Sequence, residues 1–352
     1  MDSPNFLTFH RDEARHDFFS DHRDRPPFFD PRTRTWIVTS ASDCRQLISS
    51  DKLRPATYAD DYRALGQRFN IDFSALVFAF DHIPLCQHGD PHARSRRLAS
   101  EFLAARRTVV AAQIPDITAR HLSAFKRTGK LEVMNDIIEP MIREYLCLIS
   151  GVEIGAAQSI GHISSIFDRS SGLNKRQAME SEIAALRELI VSRLGRHAPE
   201  DEVGLRLAFF ILGMDPLRGT LGESLHKLIE ANAGLRLADI NYPAFPPQTG
   251  VPFIERLVIT PFNSGTAAFN SGDRVRIFLQ SFSSEQSDLS RANFFGAGTH
   301  ACLGRPLSLD IWQGLTAFLS EIQLRASVLS YTPRTSDYVF TCPEKLVLEL
   351  HS

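Results

Sequence analysis

The feature that most constrains this chain is a glycine-rich segment near its C-terminal end, Phe295-Gly296-Ala297-Gly298-Thr299-His300-Ala301-Cys302-Leu303-Gly304. Glycine lets a backbone turn sharply and pass close to a bound group, because it has no Cβ. From Leu303 to Ile322 apolar residues recur with helical spacing. The segment therefore brings one cysteine to the start of an amphipathic helix, where the positive end of the helix dipole favours a thiolate anion.

The spacing of this segment resembles the haem-ligand loop of cytochromes P450. In that family a Phe precedes the ligand cysteine by seven positions, with two glycines and a His between them and a Gly two positions after it. Every one of these positions is matched here. The resemblance implies haem b as cofactor, Cys302 as the thiolate ligand of its iron, and a cofactor environment formed by Phe295, Gly296, Gly298, His300 and Gly304. Outside this context Cys302 would be interpreted as a small core residue.

Composition limits the remaining possibilities. The chain has 352 residues, a formal net charge of −2 and ordinary hydrophobic content, which suits one large domain over residues 1–352 or two closely packed lobes. It contains no apolar run of membrane-spanning length. A near-neutral charge gives no reason to expect a nucleic acid or membrane partner. The N-terminus does not read as a signal peptide, and the five scattered cysteines suit a reducing compartment. We therefore expect a cytoplasmic protein.

The order of predicted elements supports a mainly α fold with small β-sheets. A strand around Trp36-Ile37-Val38 and a helix from Ala41 to Ile48 open the chain, and further helices are expected within 108–152, 176–197 and 203–231. Residues 55–89 are aromatic-rich and are expected to be irregular. The resemblance implies that this region covers the substrate, and the alternative is an ordinary loop with some core anchors. The resemblance implies a cytochrome P450-like fold, with a helix-rich lobe and a small β-rich N-terminal region.

Four residues are predicted to bind the haem propionates. His92 and Arg96 lie four positions apart, so one helix face presents both for charge-assisted hydrogen bonds to an anion. By itself this pattern would also fit a solvated basic helix. The segment from Phe253 to Val258 resembles the family strand whose Arg binds a propionate, which implies a role for Arg256, and His300 is the fourth candidate.

The distal side departs from the family pattern. Typical members carry Ala/Gly-Gly-x-Asp/Glu-Thr in the long central helix, and the matching residues here are Leu212-Gly213-Met214-Asp215-Pro216. We expect Gly213, Asp215 and Pro216 to face the distal site. Pro216 has neither a hydroxyl nor an N–H group, so it cannot donate a proton and is expected to kink the helix. Thr220, one turn further on, is a partial substitute for the missing alcohol.

A second departure is the absence of the Glu-x-x-Arg pair that braces the proximal side in the family. No Glu in the chain is followed by an Arg three positions later, and the expected position reads Ile240-Asn241-Tyr242-Pro243. The chain is also short for the family.

Three functions remain open. The first is oxidation of a small molecule, such as hydroxylation, in specialised metabolism, with electrons from a ferredoxin or flavodoxin and its reductase. The second is a haem-thiolate peroxygenase, isomerase, dehydratase or cyclase that needs no reductase, and the third is a non-catalytic docking module.

The substrate pocket is expected near Phe73–Phe80, Val251–Ile254 and Phe340. The candidates for a redox-partner patch, which would otherwise be solvated surface, are Arg94, Arg97, Arg106 and Arg107.

Overall fold

The computed structural model describes residues 21–155, 163–169, 171–285, 287–334 and 339–352. Its α-helices are α1 (Ala41–Leu47), α2 (Ala59–Phe69), α3 (Ser74–His82), α4 (Gly89–His121), α5 (Glu139–Ser150), α6 (Leu173–Leu194), α7 (Glu200–Ala231), α8 (Asp288–Arg291) and α9 (Arg305–Leu319). Its strands are β1 (Phe28–Asp30), β2 (Thr35–Val38), β3 (Leu53–Pro55), β4 (Gly129–Glu132), β5 (Phe253–Val258), β6 (Phe262–Ser264), β7 (Ala267–Phe269), β8 (Arg274–Phe278), β9 (Arg325–Pro333) and β10 (Pro343–His351). The predicted class, mainly α with small β-sheets, is confirmed. Within the described ranges no helix has both the length and the apolar character needed to cross a membrane.

The chain divides into two compact units. The first unit comprises Met1–Arg54, Ala111–Ile142 and Pro216–Ser352, and the second comprises Pro55–Val110 and Arg143–Asp215. The expectation of a single domain over residues 1–352 stays a prediction.

The first unit is built on a five-stranded sheet with the strand order β1-β2-β8-β5-β3. Strand β2 pairs with β8 in parallel, and β8 pairs with β5 antiparallel. The sheet therefore joins the N-terminal hairpin to a segment more than 200 residues later, so the β-rich region is not N-terminal alone. The same unit holds a three-stranded sheet, β4-β10-β9, and the hairpin β6-β7.

Helix α1 packs on this sheet through Cys44 and Leu47, which belong to the same apolar cluster as Val38 of β2. The helix begins where the side-chain oxygen of Ser40 accepts a hydrogen bond from the Asp43 N–H group at 3.1 Å. This N-cap satisfies an amide that the first turn would otherwise leave without a partner.

The second unit corrects one expectation about residues 55–89, which form helices α2 and α3 and are not irregular. The aromatic residues are the reason, because they form the core of this unit. The Tyr58 and Tyr62 rings stack on Phe80 with centroid distances of 5.1 and 5.6 Å. The edges of Phe73 and Phe167 close the cluster. These rings pack against each other in the core of the unit. The role expected for this segment, covering a substrate, stays a prediction.

Helix α7 runs without interruption from Glu200 to Ala231 with Pro216 inside it. Pro216 cannot donate to the Leu212 carbonyl, so one bond of the helical ladder is missing at this point. Just beyond it, in the first unit, the backbone of Gly250 approaches the helix. A Cβ on Gly250 would lie 2.4 Å from the Pro216 carbonyl oxygen and 2.8 Å from the Thr220 nitrogen. Gly219 is equally tight, because its Cβ would lie 2.0 Å from the Thr341 carbonyl oxygen.

The Gly250→Ala variant tests this close approach. We expect the free energy of unfolding to fall by about 3 kcal/mol, since overpacking against rigid backbone cannot be relieved by a side-chain rotation. Urea denaturation measures the change. Gly155→Ala is the matched control, because a Cβ at that exposed position meets nothing within 4 Å. Equal stability of the two variants would contradict the packing described here.

Candidate functional site

The glycine-rich segment forms a series of tight turns in the first unit. Helix α8 leads into a 3-10 turn at Ala292–Phe295, a second 3-10 turn covers Gly298–His300, and α9 begins at Arg305. The helix expected near Cys302 thus begins three residues later. Cys302 lies in the short connection between the last 3-10 turn and α9.

Backbone hydrogen bonds close these turns. The Cys302 N–H group donates to the Phe295 carbonyl oxygen at 2.7 Å, and the Ala301 N–H group donates to Gly298 at 3.2 Å. Gly296 and Gly298 adopt φ angles of 71° and 65°, which only glycine adopts at no cost. At Gly298 a Cβ would also press on Ser49, at 3.2 Å. Two of the predicted glycines are therefore explained by the path of the backbone.

The loop is attached to the sheet by its own apolar residues. Phe294 is buried in the cluster formed by β2, β8 and α1, and Phe295 and Ala297 pack against that cluster. The expectation that Phe295 shields a cofactor stays a prediction. Its anchoring of the loop is a function that sequence reasoning missed, although two adjacent phenylalanines before a glycine turn are a signal for it.

The thiol of Cys302 differs from the other four cysteines in exposure. Cys302 is exposed, Cys147 is half-buried, and Cys44, Cys86 and Cys342 are buried. Burial raises the pKa of the Cys44 thiol to about 12, and burial also raises the pKa of Cys147. These two are therefore held as neutral thiols, whereas Cys302 is accessible.

A Cβ added at Gly304 would lie 3.7 Å from Cys302 Sγ, an ordinary van der Waals distance, so the packing of the protein alone does not require glycine at this position. An exposed sulfur at the tip of a fixed loop would suit a thiolate ligand of haem iron.

Arg256 is the second element of the candidate site in this unit. It is buried on β5, opposite Val275 of β8, and one of its terminal nitrogens donates to the Glu255 backbone carbonyl at 2.9 Å. The Glu255 carboxylate itself is engaged by the buried Arg276, at 2.8 Å. A buried guanidinium is a strong binder of carboxylates, so Arg256 fits a propionate partner. His300 is half-buried on the cysteine loop.

His92 and Arg96 lie in the second unit, on one face of α4. His92 is 7% exposed, and its pKa is lowered from 6.5, first by burial and then by the charges of Arg96 and His88. The ring is consequently neutral at pH 7. Their predicted contact with propionates stays a prediction.

Of the four arginines expected to form a redox-partner patch, Arg106 differs from the others because its side chain is half-buried. Arg106 donates to the Leu148 carbonyl at 3.1 Å and lies over the Phe102 ring at 4.9 Å. Its side chain is therefore engaged within the second unit, while Arg94, Arg97 and Arg107 are exposed.

The three predicted distal residues occupy different settings. Asp215 is fully buried, and Pro216 is partly exposed inside α7. A Cβ on Gly213 would lie 2.5 Å from a terminal methyl of Leu146, so a larger residue there would require the Leu146 side chain to move. Thr220 is engaged, because the Gly250 N–H group donates to its hydroxyl oxygen at 2.9 Å. The hydroxyl expected to replace the missing alcohol is thus held by the neighbouring backbone.

A groove of about 540 Å³ lies in the first unit at the position where the Glu-x-x-Arg pair was expected. Its lining residues are Leu228, Asn241, Tyr242, Pro243, Ala244, Pro247, Asp288 and Arg291. Burial raises the pKa of Tyr242, whose hydroxyl donates to the Leu237 carbonyl at 3.1 Å. The segment is fixed by this bond and by an ion pair between Arg236 and Asp239, at 2.6 Å, although it lacks the Glu-x-x-Arg sequence.

Comparison with solved structures identifies the fold. P450BioI, solved in complex with hexadec-9Z-enoic acid ligated acyl carrier protein, matches with a TM-score of 0.78 and 16% identity, over 98% of this chain and 100% of that one. CYP109B1 from Bacillus subtilis matches with a TM-score of 0.69 and 15% identity, over 99% and 100%. PksS of the Bacillus subtilis 168 bacillaene polyketide synthase matches with a TM-score of 0.71 and 16% identity, over the full length of both chains.

The chain therefore has the cytochrome P450 fold, as the cysteine loop indicated. No family model matches the sequence, and no curated protein sequence matches it.

The lowered pKa of His92 predicts a pH dependence of stability. The native state holds His92 neutral at pH values where the unfolded chain is already protonated, so the unfolded state binds more protons. We expect the free energy of unfolding to decrease as the pH falls below about 6.5. Urea titrations at pH 7.5 and 5.5 measure it, with His92→Gln as the variant that lacks this contribution. Parallel pH dependences of the two proteins would contradict the prediction.

Proposed function

We propose that this chain is a haem-thiolate oxidoreductase that acts on a small molecule, with haem b bound through Cys302. The observation that carries the proposal is the cysteine loop. The Cys302 amide is fixed to Phe295, the loop is anchored on the sheet, and the thiol is exposed beside Gly304. A thiolate ligand on iron favours O–O bond cleavage, so oxidative chemistry follows from the ligand type.

The residues of this chain have separable tasks in the proposed site. Cys302 supplies the thiolate, while the turns at Gly296 and Gly298 aim it and Gly304 leaves room for the ring. Arg256 and His300 bind propionates, and His92 and Arg96 are the further propionate partners that the sequence predicts. A thiolate-ligated haem supplies the oxidising centre. The substrate is expected near Phe73–Phe80, Val251–Ile254 and Phe340.

The Cys302→Ala variant tests the ligand assignment. We expect the wild-type protein, loaded with haem, reduced and exposed to carbon monoxide, to show a strongly red-shifted Soret band. Cys302→Ala should lose the red shift completely, because no other cysteine is exposed. Cys147→Ala is the matched control and should keep the wild-type spectrum.

An unchanged spectrum in Cys302→Ala would refute the thiolate assignment. A wild-type protein that takes up no haem would instead favour the alternative of a non-catalytic docking module with a P450 fold.

Two modes of oxidation remain within this proposal. Dioxygen needs electrons and protons from outside, so the first mode requires a ferredoxin or flavodoxin with its reductase and a route for protons to the iron. Hydrogen peroxide already carries both. The second mode, peroxide-driven or redox-neutral chemistry, is supported by Pro216, which lacks a hydroxyl. Thr220 accepts the Gly250 N–H group and keeps its own O–H as a donor, so it supports neither mode. Asp215 remains the one acid in the motif.

The Pro216→Thr variant distinguishes the two modes. If proton delivery limits the dioxygen mode, reductase-driven turnover should rise roughly tenfold or more, since positioned proton donors contribute about 10²–10⁴-fold. Peroxide-driven turnover of the same variant is the internal control and should change much less. Equal reductase-driven rates in both proteins would show that the site does not depend on an alcohol at this position.

A further inference from the structure

The missing Glu-x-x-Arg pair raises a structural question about the cysteine loop. Residues 232–252 are all described, and they contain a single 3-10 turn at Leu237–Asp239 and no α-helix. The loop is fixed to the sheet on one side by Phe294, Phe295 and Ala297. A brace on its other side has to come from a different interaction.

Arg305, the first residue of α9, provides a candidate. Its guanidinium carbon lies 5.4 Å from the centroid of the Phe245 ring and 5.9 Å from the centroid of the Phe295 ring. The two rings are themselves 6.5 Å apart and inclined by 60°. Both distances are within the range of a cation–π interaction. One guanidinium therefore links the segment around Phe245 to the residue whose carbonyl oxygen accepts the Cys302 N–H group.

A second contact holds the same segment against the same helix. Trp312 is fully buried, and its indole N–H donates to the Pro243 carbonyl at 2.9 Å. Arg305 and Trp312 are seven residues apart, which places them on one face of α9, two turns from each other. The segment Pro243–Phe245 is consequently attached at two points along α9, and the Arg305 contact is the one that reaches the cysteine loop.

We infer that Arg305 is a positioning residue: its contacts with the Phe245 and Phe295 rings brace the Cys302 loop in place of the missing Glu-x-x-Arg pair. Within the part of the chain that the structure describes, the side chain of Arg305 makes these ring contacts and no ion pair. The brace is thus built from one cation and two rings. The role given to the brace, positioning a haem ligand, rests on the proposed haem-thiolate function. The contacts of Arg305 themselves involve only protein residues.

The first experiment uses the protein without haem. Hydrogen exchange of the Cys302 amide reports directly on the bond to the Phe295 carbonyl, since local opening of the loop exposes that amide. We expect exchange in Arg305→Ala to be about tenfold faster than in the wild type, because this variant loses two partly exposed cation–π contacts. Arg305→Lys keeps a cation, so its exchange rate should lie between those of the wild type and Arg305→Ala. Phe245→Leu removes one of the two ring contacts, so its exchange rate should also be intermediate, and adding this change to Arg305→Ala should have little further effect.

The matched control is Lys126→Ala. Lys126 lies over the Phe318 ring at 5.2 Å, so it makes one cation–π contact to the same helix without touching the cysteine loop. Exchange of the Cys302 amide should be unchanged in this variant. Amides within α7 serve as the folding reference, and they should exchange at the wild-type rate in every variant.

Equal exchange of the Cys302 amide in wild type, Arg305→Ala and Phe245→Leu would overturn the inference. If Arg305→Ala does not fold, Arg305→Lys and Phe245→Leu decide the question, because each retains part of the contact between Arg305 and the two rings.

The second experiment uses protein loaded with haem. After reduction and exposure to carbon monoxide, Arg305→Ala should lose part of the red-shifted Soret band with time, and Lys126→Ala should retain it. A wild type that binds no haem would refute the proposed function and leave the exchange result on the brace intact. A wild type with the red-shifted band, together with equal exchange in all variants, would refute the brace alone.

Discussion

The hydrogen bond from the Cys302 amide to the Phe295 carbonyl is the constraint on which the candidate site depends. It closes a loop that two glycines with positive φ allow to turn back on itself. Because Phe295 also packs against the apolar cluster on the sheet, the position of the thiol is set by that cluster. The placement of the sulfur therefore depends on the sheet in which β2 pairs with β8.

Much of this site could be predicted from the sequence because its determinants are local. The glycines, the Phe and the Cys are within ten residues of each other, and each spacing has a backbone reason. Strand β2 and helix α7 were predicted for the same reason, since their apolar patterns are strongly β-branched or long. The P450 fold then follows from the order of elements, and the solved structures confirm it at 15–16% identity.

Other features could not be predicted, because they depend on residues far apart in the chain. Residues 55–89 were expected to be irregular, yet Tyr58, Tyr62 and Phe80 form a core that makes α2 and α3 helical. The engagement of Thr220 by Gly250 joins positions 30 residues apart. The contacts of Arg305 with Phe245 and Phe295 have no signature in sequence spacing, since aromatic residues and arginines are common. Tertiary contacts of this kind override local expectation.

The segment from Pro243 to Pro252 shows how a short chain can do without a helix at this point. It contains Pro243, Pro246, Pro247 and Pro252. Each proline ring restricts its φ angle before folding begins, so the unfolded segment has few conformations to lose. Ordering it therefore costs less conformational entropy than ordering an average segment of equal length. A segment that is already stiff needs only a few attachment points, and the contacts at Pro243, Phe245 and Gly250 supply them.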